Sequence, residues 1–335
     1  MKDFAGSRRD LLKLLGIGSG IVFFGKLPMA FAKDAFPSER ITWNCNVKAG
    51  GAYDIVARMV TPYLSQYLKE LSKGAKGGDI VIKNLFQAGG RQAYSNTFFA
   101  KPDGYTIGDF NTAFVTDNLT EKVEFDVNKY TFMARMGVSL RVLLARKDGP
   151  KTWNDMVQKG KVKEIKWGAS SYGRGHHVVS ILIKEAANLP IRLINFPGAV
   201  ENGNALMRGD IDVAMMAEDS AKGMIDSGGF KVLTVFSEKS DYPGVLSIAQ
   251  LGHPGLTDPC KLHLFVIGPP GLPKEITDLY IPAFKKVFVD KDFLQHLRSL
   301  EFILDPVYGA DAERMAKNIF KYYEDKAPIL KKYLT

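Results

Sequence analysis

Three short stretches combine small residues with the onset of a helical pattern: Ala49-Gly50-Gly51-Ala52, Ala88-Gly89-Gly90-Arg91, and Ser170-Ser171-Tyr172-Gly173-Arg174-Gly175. Glycine lets a backbone approach a ligand with no Cβ in the way. A helix start adds N–H donors without an intrahelical partner and the positive end of the helix dipole, so each stretch suits a carboxylate or phosphate. One Gly-Gly turn most often only connects two elements; three in one chain carry more weight. Lys48, Arg91 and Arg174 stand beside these turns as cations, and Arg141 is a weaker candidate of the same kind. If Lys48, Arg91 and Arg174 all face one cleft, its ligand carries at least two negative charges, because an arginine meets a carboxylate in a bidentate, charge-assisted pair. The alternative is that two of the three are solvated loop residues. Tyr53 and Tyr172 either line the body of a ligand or pack against neighbouring loops. Asp54 stands where an N-cap or first-turn acid lies, and either caps its helix or meets a donor on the ligand. His177 either bonds within its own helix start or reaches the ligand.

Other chemistries find little support. The five histidines, His176, His177, His253, His263 and His296, make no HExxH or other spaced zinc pattern, and two cysteines make no CxxC pair. No GxSxG elbow and no phosphate-binding Walker loop occur. Asp54 and Glu218 are the carboxylates an acid/base pair would use, but nothing in the sequence places them together. Catalysis, metal and cofactor are therefore not expected. Cys45 and Cys260 form either one bridge or two buried thiols.

These residues need a scaffold. A chain of 335 residues, 46% hydrophobic and 24% charged, has the length for one large or two medium domains. Ser7-Arg8-Arg9-Asp10-Leu11-Leu12-Lys13, an apolar run from Leu14 to Phe24, and Ala30-Phe31-Ala32 read as a twin-arginine export signal cleaved after Ala32. The run is shorter than the roughly 20 residues that span a bilayer. The formal charge of +9 falls to +6 without residues 1–32, and no basic block is interleaved with stacking aromatics, so nucleic acid is not an expected partner. Beyond the leader, strands and helices alternate. Strands are expected at Ile41 to Val47, Ile80 to Asn84, Tyr105 to Asp109, Val138 to Ala145, Ile165 to Ala169, Arg192 to Phe196, Ile211 to Met216, Lys231 to Phe236 and Leu262 to Ile267. The helix after the first turn carries Ile55, Met59 and Tyr63 on one line and Val56, Val60, Leu64 and Tyr67 on the next. Later helices are expected at Gln92 to Ala100, Thr152 to Lys159, His176 to Ala187, Lys274 to Phe288, Lys291 to Ser299 and Ala310 to Tyr333. The alternation argues for an α/β fold with mostly parallel sheets.

Val47 to Arg58 resembles the first loop and helix of the tripartite tricarboxylate transporter substrate-binding proteins, also called Bug proteins. Ala88-Gly89-Gly90 with Lys101-Pro102-Asp103-Gly104-Tyr105-Thr106 resembles that family's second signature, and Gly168 to His177 its third loop. Arg208-Gly209-Asp210-Ile211-Asp212-Val213 and Gly268-Pro269-Pro270-Gly271-Leu272-Pro273 follow in the expected order. The sequence departs from the family at Lys48, Tyr53, Arg91 and Arg174, which bears on ligand identity. The resemblance implies a two-domain periplasmic binding protein fold of type II, each domain a mixed sheet flanked by helices, with the ligand in the hinge cleft. It places one domain at 33–139 plus 257–335 and the other at 140–256. It also implies a monomer that closes over a small organic carboxylate in the periplasm and delivers it to membrane permease subunits. A ligand-binding partner of a membrane sensor kinase would use the same fold and site.

Overall fold

The computed structural model describes residues 35–170, 172–173, 175–298 and 302–334; the stretch expected to be an export signal, with its expected cleavage site, lies outside them. Strands run β1 (Ile41–Cys45), β2 (Ile80–Asn84), β3 (Thr106–Phe110), β4 (Thr131–Ser139), β5 (Arg141–Arg146), β6 (Ile165–Ser170), β7 (Ile191–Phe196), β8 (Val213–Ala217), β9 (Phe230–Val235), β10 (Leu262–Gly268) and β11 (Ile303–Tyr308). Helices run α1 (Ala52–Leu71), α2 (Arg91–Phe98), α3 (Val115–Thr120), α4 (Trp153–Val162), α5 (Gly175–Ala186), α6 (Ala199–Arg208), α7 (Glu218–Asp226), α8 (Thr257–Cys260), α9 (Lys274–Val287), α10 (Lys291–Leu297), α11 (Gly309–Asp325) and α12 (Ala327–Leu334). The strands form two sheets, ordered β11-β4-β10-β3-β1-β2 and β7-β6-β8-β5-β9.

Both sheets are mixed rather than mostly parallel. β1 pairs in parallel with β2 and β3, as β6 does with β7 and β8. The strands next to the chain's two crossings between sheets, β4, β5 and β10, pair antiparallel with their neighbours. The apolar run expected as one strand from Val138 to Ala145 is in fact two. Ser139 pairs with Leu262 in the first sheet, Arg141 pairs with Ala217 in the second, and only Leu140 lies between. β11 escapes pattern reading because Pro306 interrupts it. It sits at the sheet edge, with a register shift between Leu304 and Val307, the position where a strand tolerates proline.

Helix α1 shows how the first lobe is assembled. Its side chains Val56, Ala57, Val60, Leu64 and Leu68 are buried, packing on β1 and α9, whereas Ile55 is 39% exposed. The buried stripe is therefore the second of the two lines expected. Each such aliphatic chain contributes roughly 1.5–3 kcal/mol by leaving water. The largest apolar cluster does not stop at a sheet boundary. It joins Phe110, Phe132 and Phe265 of the first sheet to Leu143, Trp167 and Met215 of the second, and residues 34–335 pack as one compact unit. Helix α12 leans on both lobes, touching α3 beside the first sheet and α5 beside the second. The Tyr333 carbonyl accepts the Tyr172 hydroxyl at 3.2 Å, and the Tyr333 hydroxyl donates to Glu185 at 2.5 Å.

Candidate functional site

The three glycine-rich turns follow β1, β2 and β6 and so lie at the carboxyl edges of their sheets, where ligands settle in open α/β folds. The first is a tight turn in which Gly51 donates to the Lys48 carbonyl at 3.0 Å. Gly50 has φ +82°, and its N–H is taken by Asp54 Oδ2 at 2.8 Å. Asp54 is buried and also accepts from Asn84 Nδ2 at 2.7 Å and Arg58 Nε at 2.9 Å. Burial works to raise its pKa, but the bonds from Arg58, Asn84 and Gly50 outweigh that and hold the carboxyl below its ordinary value. Asn84 in turn donates to the Val47 carbonyl at 3.0 Å. Asp54 thus clamps the turn to the ends of β1 and β2. Gly51 is the N-cap of α1 and makes no side-chain cap bond, so the donors that α1 leaves open start at Ala52, beside the exposed Ala49.

Gly51 has an ordinary backbone and is small for reasons of space: a Cβ there would lie 2.9 Å from Val47 Cγ2. The second turn is different. Ala88, Gly89 and Gly90 have successive φ values of +51°, +67° and +96°, and a Cβ at Gly90 would press on the Asn46 carbonyl at 2.8 Å. Gly90 in turn caps α2 without a side-chain bond.

The expected cations separate. Lys48 is exposed and rests its Nζ over the Phe86 ring, 5.2 Å from the centroid. Arg91 is engaged by two acids, Asp117 at 2.9 Å and Glu121 at 2.8 Å, so it braces α2 against α3 rather than offering a free charge. Arg174 and Ser171 lie outside the described residues. Arg141, the weakest of the four by sequence, is 1% exposed at the start of β5 and faces the other lobe. Its Nη2 lies 3.0 Å from where a Cβ on Gly175 would sit, a position also near Ala113 and Asn111, and its Nη1 donates to the Cys260 carbonyl. Gly175 and Arg141 both belong to the second lobe, whereas Asn111 and Ala113 follow β3 of the first, so the two lobes meet at this point.

Tyr53 lines no open surface: it is buried in the first-lobe core and its hydroxyl donates to the His263 carbonyl at 3.0 Å. Tyr172 is 61% exposed and stacks on His177 with ring centroids 4.7 Å apart. His177 Nδ1 accepts the Gly173 N–H at 2.9 Å, and burial lowers its pKa to about 4, so it works as a neutral brace for the third loop. Ser170 closes β6 opposite Phe196. A small cavity of about 50 Å³ is lined by Arg91, Asp117, Thr120 and Glu121 on one side and Tyr172, Gly173 and Leu334 on the other, which brings the second and third turns close together.

Pattern reading passed over the residues that hold these turns. Asn46, Asn84 and Asn111 stand at or just past the carboxyl ends of β1, β2 and β3. Asn46 Nδ2 donates to the Tyr94 hydroxyl at 2.5 Å, and Asn111 Oδ1 caps the Ala113 N–H at 2.9 Å. An asparagine after each of three strands is the signal that was there to be read. Asp109 lies beneath them, fully buried, accepting the Asn46 N–H at 3.2 Å; burial pushes its carboxyl up to about 7.

Two mixed sheets joined by two crossings, with their carboxyl edges turned toward a shared seam, make this a type II periplasmic binding protein fold. The chain belongs to the tripartite tricarboxylate transporter receptor family, whose model matches residues 66–333. The UPF0065 protein in the TAR-I ttuE-ttuC' intergenic region of Agrobacterium vitis is 25% identical over 312 residues, covering 87% of this chain and 86% of its own length. Among solved structures, a TctC solute-binding protein from Polaromonas superposes with a TM-score of 0.73 at 17% identity, covering 89% of this chain and 99% of that one. MatC from Rhodopseudomonas palustris, solved with bound malate, superposes at 0.68 with 20% identity, covering 90% and 100%.

Proposed function

We propose that this protein is an exported solute receptor. It captures a small organic carboxylate between its lobes in the periplasm and delivers it to the membrane subunits of a tripartite tricarboxylate transporter. The observation that carries this reading is the gathering of three glycine-rich turns at the carboxyl edges of β1, β2 and β6, with the α1 start left uncapped by any side chain. Backbone donors and helix ends replace the water of an anion without bringing a titrating group to it. Residues 33–139 with 257–335, and residues 140–256, move as the two domains about Leu140 and the return crossing. The bound form is favoured by contacts that exist only when both domains engage. Membership in a receptor family and the malate bound by MatC support the ligand class. Export uses the twin-arginine signal with cleavage after Ala32, and the mature chain acts as a monomer.

The test is a thermal-shift screen of the mature protein against mono-, di- and tricarboxylates, aliphatic and aromatic, with recovery of the ligand. Ligand at about 100 times its Kd adds about 2.7 kcal/mol, a visible rise in Tm. A shift with unmodified ligand recovered is expected. Chemical conversion of the ligand, or no shift with any carboxylate, overturns the proposal.

A further inference from the structure

Three aspartates are buried among the described residues, and two of them hold a cation. Asp54 pairs with Arg58 at 2.8 Å and Asp117 with Arg91 at 2.9 Å. Asp109 is 1% exposed on the inner strand β3, and no lysine, arginine or histidine lies within ion-pair distance of it among the described residues. Its Oδ1 accepts the Asn46 N–H at 3.2 Å, and its Oδ2 has no hydrogen-bond partner. A lone charge is costly away from water, so such a carboxyl holds its proton. Burial accordingly raises Asp109 to about 7.

The place of this carboxyl under the turns gives its proton a role. The carbonyl of Asn46, whose amide it accepts, lies 2.8 Å from where a Cβ on Gly90 would sit, in the second turn. The Asn46 side chain reaches the Tyr94 hydroxyl, which also accepts the Asn111 N–H at 3.3 Å. The groups facing Asp109 are Cys45 and Trp43 from β1, Tyr53 and Asp54 from the first turn of α1, and Tyr94 from α2. On its other side β10 pairs with it through Val266. Burial keeps the thiol and both phenols protonated at neutral pH. Asp54 is charged but compensated by Arg58, and Arg141 acts on Tyr53. Asp109 is therefore the member of this cluster whose charge changes near neutrality. Ionised, it sets a negative charge in a poorly screened interior beneath the α1 start, the end that would hold an anion.

We propose that the first two turns hold a carboxylate tightly only while Asp109 carries its proton, so that capture is coupled to proton uptake at this buried carboxyl. This rests on the carboxylate reading above and adds its pH dependence. Asp109 acts through its field and through Asn46 rather than by touching the ligand. The proton comes from solvent and returns to it on release. By linkage, the bound anion and the ionised Asp109 weaken each other by the same factor. Capture therefore weakens as pH rises, the opposite of what a ligand gaining charge would give.

The experiment is isothermal titration of the mature protein with succinate, glutarate and benzoate at about pH 6.5 and about pH 9, where all three are ionised. Each titration is repeated near pH 7.5 in phosphate and in Tris, whose ionisation enthalpies differ, so that the heat counts protons taken up. Wild type is expected to bind at least about fivefold more weakly at the higher pH and to take up a measurable fraction of one proton near pH 7.5. Asp109→Asn, which keeps an acceptor for Asn46 but cannot ionise, should bind equally at both pH values and take up none. A role confined to packing would shift the melting temperature of that variant without any proton uptake by wild type. If Asp109→Asn does not fold, the wild-type count decides: uptake supports the coupling. Carboxylate binding with zero uptake overturns it and leaves the carboxylate reading standing. Uptake that persists in Asp109→Asn does the same, since another group then carries the proton. Binding of no carboxylate at either pH overturns both.

Discussion

Asp54 takes the amide hydrogen of Gly50 at 2.8 Å, so an acid four residues further on closes the first glycine turn from behind. The same carboxylate accepts from Asn84 and Arg58, tying a loop, a strand end and a helix to one buried charge. In the proposed receptor its role is indirect: it sets the backbone of the first turn.

Asp54→Ala should therefore reduce stability as well as binding. Losing the charged acceptor removes the bonds from Asn84, Gly50 and Arg58 that tie the turn to β2 and α1, at about 1.5–3 kcal/mol. Chemical denaturation checks the stability loss. Carboxylate affinity measured well below the midpoint checks that the loosened turn binds more weakly.

Glycines 50 and 90 both have positive φ, and they should respond differently to alanine. At Gly50 a Cβ meets nothing within 4 Å, so only the backbone preference opposes the change, about 1 kcal/mol. At Gly90 the Cβ also meets the Asn46 carbonyl at 2.8 Å, and the loss should exceed about 2 kcal/mol. Equal melting temperatures for Gly50→Ala and Gly90→Ala would count against the close approach of the second turn to Asn46.

Arg91→Met should act on stability. Asp117 keeps 3% side-chain exposure beside Arg91, and removing the cation takes two charge-assisted bonds from this nearly buried acid, at about 1.5–3 kcal/mol. The Asp117→Asn, Arg91→Met double variant should recover part of that loss in a double-mutant cycle.

The pH dependence of Asp109 has a definite sign. Burial raises its folded pKa from 3.8 to about 7. Between those values the unfolded chain has released the proton and the folded chain has not, so this group's contribution to stability falls as pH rises through that window. Asp109→Asn removes the proton release. The Tm of the variant minus that of wild type should grow from pH 4 to pH 7 and level off above. A difference that stays constant across the window would mean Asp109 ionises at its ordinary value.

Cys45 and Cys260 are buried, free thiols, and burial pushes Cys260 up to about 12 and Cys45 beyond it. Thiol reagents should therefore react slowly with the folded protein and find two equivalents once it is unfolded without reductant. Fewer than two would indicate a bridge.

Much of this arrangement is legible in the sequence, and the gaps have physical reasons. The glycine turns and α1 stand out because small residues after a β-branched run, followed by spacing of three and four, leave a local signature. The break at Leu140 does not, because Val138 to Ala145 carries no glycine or proline to mark it. What divides the run is which distant strand each half pairs with, Leu262 or Ala217. The loop cations show the same limit. Residue type marks Lys48, Arg91 and Arg141 alike, but Asp117 lies 26 residues from Arg91 in sequence, and the burial of Arg141 depends on both lobes at once.

Helix α12 touches α3 in one lobe and α5 in the other, and through Tyr333 it holds Tyr172 of the third loop. A segment seated on both sides of a seam cannot keep every contact when the seam widens, so its surroundings must change with the opening angle. The exposed lysine pair Lys331-Lys332 therefore offers an attachment point for an environment-sensitive dye, converting a change of opening angle into an optical signal without touching the three glycine-rich turns.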